Sequence, residues 1–222
     1  MYQAIIYKEW IKTRKALGLT VFVFAAAGVY SFMKIGESVR SSGLVSMWET
    51  ALQKDMSMFP YFEYLPLFAG ILLAITQYAP ELQFKRLKLT LHLPLPESKI
   101  QQTMLGYGFM AVLLLVCLAM GSLLCGLRLY FPREIVSASF WNLLPWFLAG
   151  LASYAITSWV CLEPQWKQRI LNIVAGLALL SLFFIGAKSG AYSPITPYLT
   201  AFVEASFFFS IYSITRFKEG IQ

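Results

Sequence analysis

The sequence predicts an all-α integral membrane protein with six transmembrane helices in one domain, residues 1–222. The first observation is composition, since 58% of the residues are hydrophobic and only 13% are charged, whereas a soluble domain carries about 25% charged residues. The second is length, because several apolar stretches approach the roughly 20 residues that a helix needs to cross hydrocarbon. These stretches are apolar on all faces, which favours helices over the alternating strands of a membrane barrel.

Six apolar stretches are predicted to be spans. They cover residues 16–33, 59–79, 103–127, 140–162, 170–187 and 195–215. Four of them contain no charged residue, and the second and the sixth contain one each, Glu63 and Glu204. No internal repeat stands out at any fixed period, and the six spans are therefore assigned to a single transmembrane domain.

Basic residues mark one side of this domain. If the N-terminus is cytoplasmic, the cytoplasmic segments are 1–15, 80–102, 163–169 and 216–222. These segments hold twelve of the 18 basic residues, namely Lys8, Lys12, Arg14, Lys15, Lys85, Arg86, Lys88, Lys99, Lys167, Arg169, Arg216 and Lys218. The other six bases are balanced by six acids. Because lysine and arginine concentrate on the cytoplasmic side, both termini are predicted to be cytoplasmic.

Several functions are not expected from this sequence. Nucleic acid is not an expected partner, because the bases lie next to span ends, where topology and anionic lipid account for them. A metal site is not expected, since His92 is the only histidine and the three cysteines lack metal-binding spacing. No Gly-x-Ser-x-Gly motif and no phosphate-binding loop of the G-x-x-x-x-G-K-[ST] type occur. The chain itself is therefore predicted to be neither an enzyme nor a cofactor-binding protein.

The N-terminal stretch YQAIIYKEWIKTRKA predicts an amphipathic helix that lies in the headgroup plane as an elbow before the first span. Its central residues are Lys8, Glu9, Trp10, Lys12 and Arg14, and its bases are expected to reach water. Two roles stay open, a plain anchor for the first span and an elbow that a cytoplasmic partner pushes. A second short helix is predicted within residues 34–58, on the opposite side of the membrane.

The segment ELQFKRLKLTLHLPLPESKI, residues 81–100, interrupts the apolar sequence between the second and third spans. A helix is expected after Pro80 and up to Pro94. The alternating leucines also suit a strand, but a lone strand at a membrane surface has no partner. A simple connection takes about 2–8 residues, so a segment this long predicts a rigid piece at the cytoplasmic surface.

Two acidic residues lie in or near predicted spans. Glu204 falls about halfway along the last span, where an unpaired charge costs about 3 kcal/mol. It is a candidate for the lining of a translocation path, and the alternative is that the span starts later and leaves Glu204 near the outer surface. Glu63 is close to the outer end of the second span, where an interfacial charge is favoured over a path residue.

These features together resemble the membrane subunits of type-2 ABC exporters, a permease family with six spans. The resemblance depends on the KEWIKTRK helix, on Glu81 at the end of the second span, and on the stretch RLKLTLHLPLPESK before the third. Many members have a glycine and a threonine shortly after the acid, where this chain has Lys85 and Arg86.

The resemblance implies a subunit of the bacterial cytoplasmic membrane that pairs with a second copy or a sibling permease. Two copies of a separate ATPase, which binds ATP and magnesium, would drive export of an apolar or amphipathic substrate. The residues expected to dock this ATPase are exposed charges of the 81–100 segment, namely Glu81, Lys85, Arg86, Lys88 and Glu97, while Leu87 and Leu91 pack against the bundle. A secondary transporter or a small receptor-like membrane subunit, without an ATPase, is the alternative.

Overall fold

The computed structural model describes residues 2–53, 57–83, 97–163, 165–186 and 191–218. Every element in these ranges is helical, which confirms the all-α prediction. The α-helices are α1 (Tyr2–Gln53), α2 (Leu65–Gln83), α3 (Glu97–Tyr130), α4 (Arg133–Leu162), α5 (Trp166–Ser181) and α6 (Thr196–Lys218). Short 3-10 turns at Pro60–Phe62 and Leu182–Phe184 precede α2 and follow α5.

Five helical stretches within the described residues are long and apolar enough to cross a membrane, which fits a multi-pass membrane protein. They are Tyr2–Ser41, Pro60–Glu81, Lys99–Tyr130, Arg133–Leu162 and Trp166–Phe184. The predicted count of six spans is not confirmed. Helix α6, with 23 residues, is not among these five stretches.

Helix α1 does not break where the elbow helix was expected to end. The only non-helical backbone inside α1 is at Gly43, whose φ of 78° and ψ of 161° lie in a region that is essentially restricted to glycine. The elbow, a separate helix over residues 1–15, is therefore not confirmed. After Gly43 the chain is helical again as far as Gln53, inside the region 34–58 where a second helix was predicted.

Helix α4 forms the centre of the bundle and contacts each of the other five α-helices. Its buried middle contains small residues, among them Gly150, Ala152 and Ser153. Because lipid gives helices no hydrophobic reason to associate, small residues that allow close backbone packing stabilise such contacts. Gly70 of α2 shows how close the packing is, since a Cβ atom there would overlap the carbonyl oxygen of Gly150.

The helices alternate in direction, so α1 begins at the same end of the bundle at which α2, α4 and α6 end. We call this end the base. Two polar contacts fix it: Lys12 Nζ lies 3.0 Å from Glu81 Oε1, and Ser210 Oγ donates to the Ala155 carbonyl oxygen at 3.0 Å. The base is the side that the sequence predicts to be cytoplasmic, and this orientation in the membrane stays a prediction.

Candidate functional site

Four charged side chains meet at the base, and we call them the ionic cluster: Lys8, Glu9 and Lys12 of α1, and Glu81 of α2. Lys8 and Lys12 are four residues apart and therefore share one helix face. Their ammonium groups lie 2.9 and 3.0 Å from the same oxygen, Oε1 of Glu81. Lys12 Nζ also lies 2.6 Å from Glu9 Oε1. Lys12 thus bridges two carboxylates from two helices.

The two carboxylates of the ionic cluster are buried, and the cluster has no net charge. Glu9 and Glu81 are 0% and 1% exposed, the side chain of Lys12 is 13% exposed, and that of Lys8 is 36% exposed. Two positive groups balance two negative groups. Buried ions lose a hydration energy that only well-placed opposite charges and hydrogen bonds offset, so each member depends on the others remaining in place.

Some of the hydrogen-bonding capacity of the ionic cluster is unused. Oε2 of Glu9 and Oε2 of Glu81 are buried and accept no hydrogen bond from the described residues. Buried charged groups with incomplete hydrogen bonding are uncommon in folded proteins. Because the remaining contacts join α1 to α2, relative motion of these two helices would change the energy of the cluster directly.

A neutral polar network extends the ionic cluster into the bundle. Lys12 Nζ donates to the Gln77 carbonyl oxygen at 3.3 Å, and the Gln77 side chain donates to the Met104 carbonyl oxygen at 2.8 Å. Tyr154 OH donates to Gln77 Oε1 at 2.8 Å. Gly108 makes room for this network, since a Cβ atom there would overlap Tyr154 OH. The network therefore links α1, α2, α3 and α4.

A second connection ties α1 to α3 at the same level. The hydroxyl groups of Thr13 and Tyr107 lie 2.7 Å apart, and Thr13 Oγ1 also donates to the Glu9 carbonyl oxygen at 2.9 Å. Side-chain hydrogen bonds between membrane helices are typically worth about 0.6 kcal/mol each. Here the contact between Thr13 and Tyr107 matters for geometry, because it fixes the turn of α1 that contains Lys12 relative to α3.

The structure separates the residues assigned to the N-terminal helix into two groups. Lys8, Glu9 and Lys12 belong to the ionic cluster, whereas Trp10 and Arg14 are exposed and line a groove between α1 and α3. The expectation that the bases reach water is wrong for Lys12, because Glu9 and Glu81 provide buried partners for its ammonium group.

The docking residues are only partly within the described residues. The expectation that Glu81 is exposed is wrong, because Lys8 and Lys12 neutralise its carboxylate inside the bundle. Lys85, Arg86 and Lys88 lie outside the described residues. Glu97 is the first residue of α3. The docking role of the 81–100 segment stays a prediction.

The two candidate path acids lie away from the base. Glu204 is exposed on α6. Two residues earlier, the Phe202 ring is 6.1 Å from the ring of Phe183, in the 3-10 turn that follows α5. This contact places the first turns of α6 beside the end of α5. Glu63 is half-buried next to the turn before α2. The path role of both acids stays a prediction.

Sequence reasoning missed the neutral members of the site, Gln77, Tyr107 and Tyr154. A signal for one of them exists, because Gln77 is the only amide side chain in the predicted second span. Polar side chains within spans usually face the interior of a helix bundle. In the part of the chain that the structure describes, no three His, Cys, Asp or Glu side chains come together as metal ligands.

Comparisons of the chain with models of protein families, with curated proteins and with solved structures find no match. A fold alone does not indicate a function, which has to follow from the chemistry of the site. The contacts at the site connect helices and are suited to transmitting motion between them. Its charges are paired with one another across helices, and the chain leaves α2 for the basic 84–96 segment only a few residues after Glu81.

Proposed function

We propose that this chain is the transmembrane permease subunit of an ABC transporter. It pairs with a second copy or a sibling permease, and a separate ATPase subunit drives export of an apolar or amphipathic substrate. One observation carries the proposal: the ionic cluster ties α1 to the last turns of α2, immediately before the basic segment on which the ATPase is expected to dock. A displacement of the end of α2 is expected to reach α1 through the ion pairs of Glu81 with Lys8 and Lys12.

The contacts of Glu81 and Gln77 support this transmission. Glu81 binds two lysines of α1, and Gln77, one turn earlier in α2, bonds with α3 and α4. Attraction between charges is several times stronger in a low-dielectric interior than in water. Separating α1 from α2 would leave buried charges unpaired, so the two helices are expected to move together when the segment after α2 is displaced.

A secondary transporter is the second candidate, and the unbonded carboxylate oxygens of Glu9 and Glu81 favour it. Ionisable groups inside a membrane domain often belong to ion or proton pathways. Secondary transporters, however, place their coupling sites near the bilayer midplane at broken helices. The ionic cluster lies at one end of the bundle, and this position agrees better with a transmission role.

Docking is tested by reversing the charges of Lys85, Arg86 and Lys88 to glutamate together. We expect the triple variant to insert in the membrane but to lose the ATPase in a pull-down, because like charges then meet an acidic partner surface. Individual exposed ion pairs contribute only about 0–1 kcal/mol, so single reversals are expected to have small effects. Reporter fusions at both ends check that the orientation is kept.

The matched control reverses Lys15, Lys167 and Lys218, three bases outside the 81–100 segment that are predicted to lie on the same side. It has the same total charge as the test variant, and we expect it to retain the ATPase. Loss of the ATPase from both variants would attribute binding to net charge and contradict a specific docking segment. Full retention by the test variant, correctly inserted, would contradict docking there altogether.

Glu204 has a separate prediction. If it lines a translocation path at the subunit interface, Glu204→Gln retains expression but changes substrate-stimulated ATP hydrolysis by the assembled complex, since the charge is lost where cargo passes. Glu204→Leu provides the stronger perturbation at the same position. If both variants transport and assemble like the parent, Glu204 is a surface charge of a span that starts late.

A further inference from the structure

A long groove runs along the outside of the bundle between α1 and α3. Near the base it encloses about 820 Å³. It continues away from the base into a second cavity of about 370 Å³. Val21, Leu115 and Leu118 line both cavities, which are therefore parts of one groove. The residues of α1 that line it extend from Ile6 to Phe32, or about 39 Å at 1.5 Å per residue.

Two glycines open this groove. Gly18 and Gly106 line it, and a Cβ atom at either position would lie more than 4 Å from every atom of the described residues outside its own helical turn. Gly70 is different, because its missing side chain permits close packing of two helices. At Gly18 and Gly106 the missing side chains leave space that the described residues do not fill.

The polarity of the groove changes along its length. Its base end carries Trp10, Arg14, Gln102, Thr103 and Tyr107, and the remainder is apolar except for Ser122, whose hydroxyl donates to the Ala119 carbonyl oxygen. Arg14 forms none of the four ion pairs found among the described residues. A guanidinium group at the end of an apolar groove favours a phosphate or carboxylate partner, which it can bind with two hydrogen bonds.

We propose that this groove binds one anionic phospholipid, with an acyl chain between α1 and α3 and its phosphate at Arg14. Only a ligand with one charged end and a long apolar part matches the change in polarity. The exposed indole of Trp10 lies next to Arg14 in the groove, and tryptophan favours the level of lipid headgroups. Basic pockets between membrane helices recognise anionic headgroups in this way.

Lipid binding is tested on the full chain, purified and delipidated in a mild detergent. Native mass spectrometry follows titration with phosphatidylglycerol or phosphatidylcholine of identical acyl chains. We expect one phosphatidylglycerol per chain, bound about fivefold more tightly than phosphatidylcholine. Arg14→Gln is expected to abolish this preference, because it removes the charge at which the headgroup binds. Since Arg14 is exposed, the replacement is expected to leave folding unaffected. Arg14→Lys is expected to keep the preference.

Two leucine variants test the groove. Gly106→Leu fills it and is expected to reduce binding of both lipids at least tenfold, while Gly121→Leu, on α3 in open space outside the groove, is expected to bind like the parent. Equal affinity of the parent for both lipids, or unchanged binding by Gly106→Leu, would overturn the proposal. The proposal would also be overturned if the parent protein were a dimer and Gly106→Leu converted it to a monomer. None of these outcomes depends on an ATPase partner.

Discussion

Replacing Lys12 with methionine is expected to lower the free energy of unfolding by about 3–5 kcal/mol, because removing one partner of a buried ion pair leaves uncompensated charge. The change removes the ammonium group that Glu9 and Glu81 share, while methionine keeps most of the apolar volume. Glu9 then has no cation within ion-pair distance among the described residues. Denaturant titration of the purified chain in detergent measures the change.

The chain provides its own control for this variant. Lys34 and Glu37 form an exposed ion pair at 2.8 Å on the same helix, so Lys34→Met is expected to unfold like the parent. Adding Glu9→Gln to Lys12→Met should recover part of the lost stability, since it removes one unpaired charge. Equal effects of Lys12→Met and Lys34→Met would show that the ionic cluster does not hold α1 against α2.

Gly70→Ala is expected to destabilise the bundle by about 3 kcal/mol, at the upper end of the usual cost of overpacking. The added methyl group would overlap the carbonyl oxygen of Gly150 and Oγ of Ser153. A backbone carbonyl cannot rotate away as a side chain can, so α2 and α4 would have to separate. The loss is measured as a lower midpoint of thermal unfolding in detergent.

Gly106→Ala is the matched control for this contact, because its Cβ atom would lie in open space. Alanine is a better helix former than glycine by about 0.8–1.0 kcal/mol. We therefore expect this variant to be as stable as the parent or slightly more stable. A midpoint for Gly70→Ala that matches that of Gly106→Ala would contradict the close contact between α2 and α4.

Hydropathy predicted the helical class and the approximate position of each helix, because burial in lipid imposes a length and a polarity on every span. The ends were less accurate. The fifth span was predicted over residues 170–187, whereas α5 covers Trp166–Ser181 and is followed by a 3-10 turn. The elbow was predicted because charged residues usually mark the membrane surface. In α1, Lys12 instead pairs with Glu81, 69 residues further along the chain.

The site was predicted only in part for a related reason. Glu81 and three charges of the N-terminal stretch were singled out, but as separate surface groups. From a single sequence, the free-energy cost of burying a charge can be judged only for each charge alone. The sequence does not show directly which charges neutralise one another. The role of Gln77 likewise depends on Tyr154 and Met104, which only the packing of α2 against α3 and α4 brings within hydrogen-bonding distance.

The unequal helix lengths determine which parts of the bundle can change their inclination to the membrane. Helix α5 with its 3-10 turn has 19 residues and measures about 30 Å, the thickness of the hydrocarbon core. Tilting it would draw its polar ends into the hydrocarbon. Helix α3, with 34 residues, measures about 51 Å and can tilt freely, as can the long first part of α1. By length alone, the bilayer would therefore restrict the tilt of α5 more than that of α1, α3 or the 30-residue α4.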